Sequence, residues 1–70
     1  MTYYLTITKK DGELGFEFEA RDFKEATAIA TAFHAGYCFA EGLGWETSHF
    51  RINSLQTKRT RGTEYQRLMP

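Results

Sequence analysis

Residues 2–8 alternate, with Tyr3, Leu5 and Ile7 on one face and Thr2, Tyr4, Thr6 and Thr8 on the other. Period-two alternation in β-branched and aromatic residues predicts a half-buried strand. Residues 13–20 repeat the pattern, with Leu14, Phe16 and Phe18 inward and Glu13, Gly15, Glu17 and Glu19 outward. Between the two runs stand Lys9, Lys10, Asp11 and Gly12, and Asp-Gly flanked by alternating residues is a hairpin signal.

The period then changes. Asp22 followed by Glu25 is a capping-box-like start, so a helix is expected over residues 22–41, opening near Phe23. Alanines at 26, 28, 30, 32, 35 and 40 raise its propensity, and of the two glycine stops, Gly36 and Gly42, the second is preferred because the apolar period runs past the first. Placed at about 100° per residue, Ala26, Ile29, Ala30, Phe33, Tyr37 and Ala40 form a core-facing stripe with Phe23 at its edge. The opposite side holds Lys24, Ala28, Thr31, Ala32, Ala35 and Phe39, only one of which is charged. A solvent-facing side ordinarily carries more charge, so this side suits a partner chain or a second copy, although alanine also tolerates exposure.

Beyond the helix, Gly42-Leu43-Gly44-Trp45 is a flexible connection. Residues 48–57 predict a third strand, with Phe50 and Ile52 inward and His49, Arg51 and Asn53 outward. Leu55 breaks the alternation, which indicates a bulge or the end of regular pairing. A right-handed crossover from strand two to a parallel strand three, skipping one position, gives the order 2-1-3 with antiparallel neighbours. Residues 58–62, KRTRG, form a basic turn, and residues 63–69 either return as a short fourth strand beside strand three or remain a tail. The fold class is therefore α+β, a small antiparallel sheet with one helix packed on one face.

At 70 residues the chain makes one domain, burying about 60 per cent of its unfolded surface and holding roughly 4–10 kcal/mol of stability. Net charge is zero but unevenly spread. Residues 1–50 carry four Lys or Arg against eight Asp or Glu, and residues 51–70 carry five against one. A single cysteine excludes an intramolecular disulfide and suits a reducing compartment. With no leader pattern, long apolar run or lipidation motif, a cytoplasmic protein without a membrane association is expected.

Candidate chemistry is sparse. His34 and Cys38 share a helix side at a spacing that suits two ligands of one metal, with His49 as a third, but a structural zinc site wants four, so no metal is assigned. His34 is expected to flank the core and Cys38 to pack as a small apolar residue. A Cys38 nucleophile lacks an orienting acid, Gly42-Leu43-Gly44 lacks the rest of a phosphate loop, and Glu17 with Glu19 lies on a strand face rather than in a cleft. No catalytic residue and no cofactor are assigned. Two surfaces rank higher: the helix-free sheet face bearing Tyr4, Glu17, Glu19 and Arg51, and the basic segment Lys58, Arg59, Arg61 and Arg67 with Tyr65, which suits phosphate contact and base stacking.

The hairpin ending FEFEA, the helix opening RDFKEATAIA and the strand HFRINSL together resemble the compact strand-strand-helix-strand proteins carried by phages and other mobile elements, some of them anti-CRISPR inhibitors. Such families share no site residues, so none is carried over. The resemblance implies a protein that occupies a partner's surface. The expectation is a non-enzymatic protein-binding module, an inhibitor of a host complex, using Ala28, Thr31, Ala35 and Phe39 or the open sheet face, with a homodimer as one form of association. The alternative is a nucleic-acid-binding protein using the basic segment.

Overall fold

In a computed structural model, which describes residues 1–9, 12–40 and 51–68, the chain forms five elements. They are β1 (Thr2–Lys9), β2 (Gly12–Glu19), α1 (Phe23–Ala40), β3 (Arg51–Gln56) and β4 (Tyr65–Arg67). The expected α+β architecture is present, with one helix on one face of a sheet. The sheet has four strands in the order β3-β1-β2-β4. Its first three strands keep the expected neighbours, β1 pairing antiparallel with both β2 and β3.

Two expectations are corrected. The fourth strand joins β2 at the opposite edge rather than lying beside β3, and it pairs parallel, so the sheet is mixed. The connection from β3 to β4 therefore crosses the whole sheet. The physical reason lies in small residues on the helix-free face. Ser54, Thr6, Gly15 and Tyr65 stand in register across the four strands, and a Cβ on Gly15 would fall 2.7 Å from the Glu64 carbonyl oxygen and 2.8 Å from both Thr63 Cγ2 and Tyr65 Cδ1. The missing side chain leaves a trough that the returning segment fills.

The core lies between sheet and helix. Tyr3, Leu5, Ile7, Phe16 and Phe18 are buried against Ala26 and Ala30, with Leu14, Ile29, Phe33, Tyr37 and Leu55 packed around them. Phe33 meets Phe16 edge-on at a centroid distance of 4.6 Å, and Tyr37 lies 6.4 Å from the same ring. The expected break at Leu55 is a bulge. Thr6 pairs with Ser54 but Ile7 with Ile52, which leaves Asn53 as the extra residue and turns both Ile52 and Leu55 to the helix side. The hairpin closes where Lys9 pairs with Gly12, whose φ of 147° suits glycine; Lys10 and Asp11 lie outside the described residues.

The helix begins as its capping pattern predicts. Asp22 Oδ1 accepts from the Glu25 N–H at 2.8 Å, and Glu25 Oε1 accepts in return from the Arg21 N–H at 2.9 Å. Its inward side is turned relative to the expected stripe. The buried helical residues are Ala26, Ala30, His34 and Cys38, while Ala40 is exposed and Phe23 is 59% exposed despite its tilted contact with Tyr3. The i, i+4 row of small or compact side chains lets the helix sit low on the sheet, and Ile29, Phe33 and Tyr37 fill its flank. Gly36 is helical, as expected; the proposed stop at Gly42 lies outside the described residues, as do Leu43, Trp45, His49 and Phe50.

Two outcomes follow from these contacts. Gly15→Ala should lower unfolding free energy by roughly 1–3 kcal/mol in chemical denaturation, because a backbone carbonyl stands where the methyl must go, and amide exchange should rise first at Leu68. The Arg21 backbone N–H, followed by the Arg21 side chain, holds the Glu25 carboxyl below its ordinary 4.5. The capping contribution is therefore full above about pH 4.5 and lost as pH falls through the lowered folded value. The stability difference between the native chain and Glu25→Gln should be flat at neutral pH and shrink in acid.

Candidate functional site

Two surfaces offered by the sequence meet in space. The helix-free sheet face and the basic C-terminal segment are one assembly, because the chain between β3 and β4 straps across that face. Tyr65 is its anchor. From β4 the side chain reaches back over Gly15 and Thr6; its ring meets Tyr4 edge-on at 5.0 Å, and the Arg59 guanidinium lies over it at 5.3 Å. The Thr60 N–H donates to the Tyr65 hydroxyl at 2.8 Å, Gln56 Nε2 donates to Thr60 Oγ1, and the Leu68 N–H donates to the Glu17 carbonyl at 3.0 Å.

Beneath the strap Thr6 is only 2% exposed, and its Oγ1 has no hydrogen-bond partner. Burial pushes the Tyr65 phenol up, but the polar groups of Thr60, Thr6 and Gln56 around its hydroxyl outweigh that and hold it below its ordinary 10.0. The Thr6 hydroxyl favours the phenolate because it can turn to donate to it. It makes no such bond to the neutral phenol.

The sequence-assigned residues distribute as follows. Tyr4 and Glu17 are half-buried, Tyr4 against Tyr65, and Glu17 beside Arg67 in the parallel register. Glu19 is exposed and accepts from Thr2 Oγ1, and the Arg51 side chain lies outside the described residues. Lys58, Arg59, Arg61 and Arg67 are exposed, but the Tyr65 ring offered for base stacking already has Tyr4 at its edge and Arg59 over it. On α1, Ala28 and Thr31 are exposed, Ala35 is half-buried, and Phe39 is 87% exposed.

A polar cleft of about 490 Å³ opens between the start of β2 and the strap, lined by Gly12, Glu13, Leu14, Gly15, Gly62, Thr63, Glu64 and Gln66. Sequence reasoning missed it, since nothing in the alternating pattern places residues 62–64 beside Glu13. On the core side His34 Nε2 lies 3.7 Å from Cys38 Sγ, both buried. Among the described residues no three His, Cys, Asp or Glu side chains gather as a metal site, and no helix is long and apolar enough to cross a membrane. Comparison of the chain with protein-family models, curated proteins and solved structures found no match in any of the three.

Tyr65 supplies a pH test. A lowered acid pKa adds stability as pH rises through the folded value, in full above 10. The native chain should therefore gain stability relative to Tyr65→Phe between neutral pH and about pH 10, followed by denaturant midpoint, and its phenolate absorbance should contain one tyrosine titrating early.

Proposed function

We propose that this chain is a small non-enzymatic protein-binding module that acts by occupying a partner's surface with the outer side of α1, as a phage-type inhibitor of a larger complex would. The observation that carries this reading is Phe39, a large apolar side chain 87% exposed on a helix side that otherwise presents Lys24, Ala28, Thr31 and Ala32 to solvent. An aromatic held in water by an ordered helix is unfavourable unless a partner covers it, and aromatic anchors ringed by small, uncharged neighbours are typical of interface centres. The sheet's opposite face is less available, since the strap already occupies its centre.

The exposed cations of the strap favour a second reading, nucleic-acid binding through Lys58, Arg59, Arg61 and Arg67. Paired variants separate the two. Phe39→Ala with Thr31→Arg should preserve the circular dichroism spectrum and weaken any specific protein complex by tenfold or more, as the loss of an aromatic anchor does. Arg59→Gln with Arg61→Gln should leave that complex intact. Retention of full binding by the helix variant would overturn the reading, and a salt-dependent nucleic-acid affinity lost in the arginine variant would replace it.

A further inference from the structure

The outer side of α1 has a property that its composition alone does not show: it is self-complementary when the helix is reversed. Six residues define it, Lys24, Ala28, Thr31, Ala32, Ala35 and Phe39, all exposed except the half-buried Ala35 and centred about 130° around the helix from the buried row Ala26, Ala30, His34 and Cys38. A two-fold axis between Thr31 and Ala32 places Lys24 against Phe39 of a second copy, Ala28 against Ala35, and Thr31 against Ala32. The steps from 24 to 28, 31, 35 and 39 alternate between four and three residues before the final four, close to the seam spacing of paired helices.

Size and charge agree with that alignment. Alanine and threonine at the middle of the seam let two helix axes approach to the short end of the usual 8–10 Å range. At each end the ammonium of Lys24 meets the ring of the partner copy's Phe39, a cation–π pairing that covers the exposed aromatic. The last described turn of α1 holds no basic residue, and a lysine is favoured near the negative end of a helix dipole. In a parallel pairing Lys24 would face Lys24, and the cation at the N-terminal end would gain nothing.

We infer that the surface bound by the outer side of α1 is the same surface of a second copy of this chain, the two helices running antiparallel with Lys24 of each over Phe39 of the other. The inference rests on the protein-binding reading of this side and names its partner. It makes the dimer isologous, with each copy contributing both halves of the contact.

The test is solution mass of the full chain by light scattering, from micromolar to millimolar concentration, on four proteins. The native chain should approach twice its monomer mass of 8.1 kDa as concentration rises. Phe39→Lys should weaken self-association by about tenfold or more, since it sets two ammonium groups together. Adding Lys24→Glu to Phe39→Lys should restore the dimer, an outcome that only an antiparallel 24–39 contact produces. Lys58→Gln, on the strap, should leave it unchanged. A native chain that stays at monomer mass throughout overturns the inference while leaving a foreign protein partner for the same side, which the helix variants above test separately. A dimer that persists in Phe39→Lys, or fails to return in the double variant, also overturns it, by placing the contact elsewhere or in another orientation.

Discussion

The arrangement of the C-terminal third depends on a side chain that is absent. With any residue larger than glycine at position 15, the Glu64 carbonyl and the Tyr65 ring could not lie where they do. Gly15 also stands beside Thr6 and, through it, Ser54, so three small residues in a row leave a channel across the sheet. Tyr65 fills it. The edge contact with Tyr4 and the hydrogen bond from Thr60 hold the ring along the channel, and β4 then needs only three residues to complete the edge.

That channel also lets the chain keep one hand throughout. The connection from β2 to β3 runs through α1 on the core side, and the connection from β3 to β4 runs back in the opposite direction on the other side. Reversing both direction and face leaves handedness unchanged, so the strap repeats the hand of the helical crossover, as parallel connections prefer. Burying Thr6 Oγ1 without a partner works against the strap, by an amount on the order of 1–3 kcal/mol for an unsatisfied polar group. The ring contacts and the two backbone hydrogen bonds of the strap offset it.

Most of the layered core was legible because it rests on periodicity. Tyr3, Leu5, Ile7, Phe16 and Phe18 alternate, and alternation dictates a face. The capping pair Asp22 and Glu25 and the irregularity at Leu55 were local signals with local causes. The position of β4 was not legible, because a three-residue strand has too little pattern to identify its neighbour, and the deciding feature, the Thr6–Gly15 row, appears only once the hairpin register is known. The helix was read one side chain off for a related reason. His34 and Cys38 look less apolar than Phe33 and Tyr37, yet a sheet already crowded with aromatic rings accommodates a slim row beneath the helix axis and bulk along its flank. Of the sites, the exposure of Phe39, Ala28 and Thr31 was visible from helical spacing. The cleft between Glu13 and Glu64 and the engagement of Tyr65 were not, since both arise from a contact between segments about 50 residues apart in sequence, which no local pattern encodes.

Between the sheet face and the helix side, the difference is one of completeness. The sheet face presents aromatic and charged residues that sequence alone makes look available, but Tyr4 and Glu17 are half-buried and Thr6, at the middle of the face, is buried under Tyr65. The outer side of α1 is the reverse case. Its residues are small and weakly polar, so isolation costs little at each alanine, and the unfavourable exposure concentrates on one ring, Phe39. A chain of 70 residues has stability of only roughly 4–10 kcal/mol to set against such exposure. Selection for folding alone would favour a polar residue at that position, and among the described residues the fold gives the ring no contact that explains its retention.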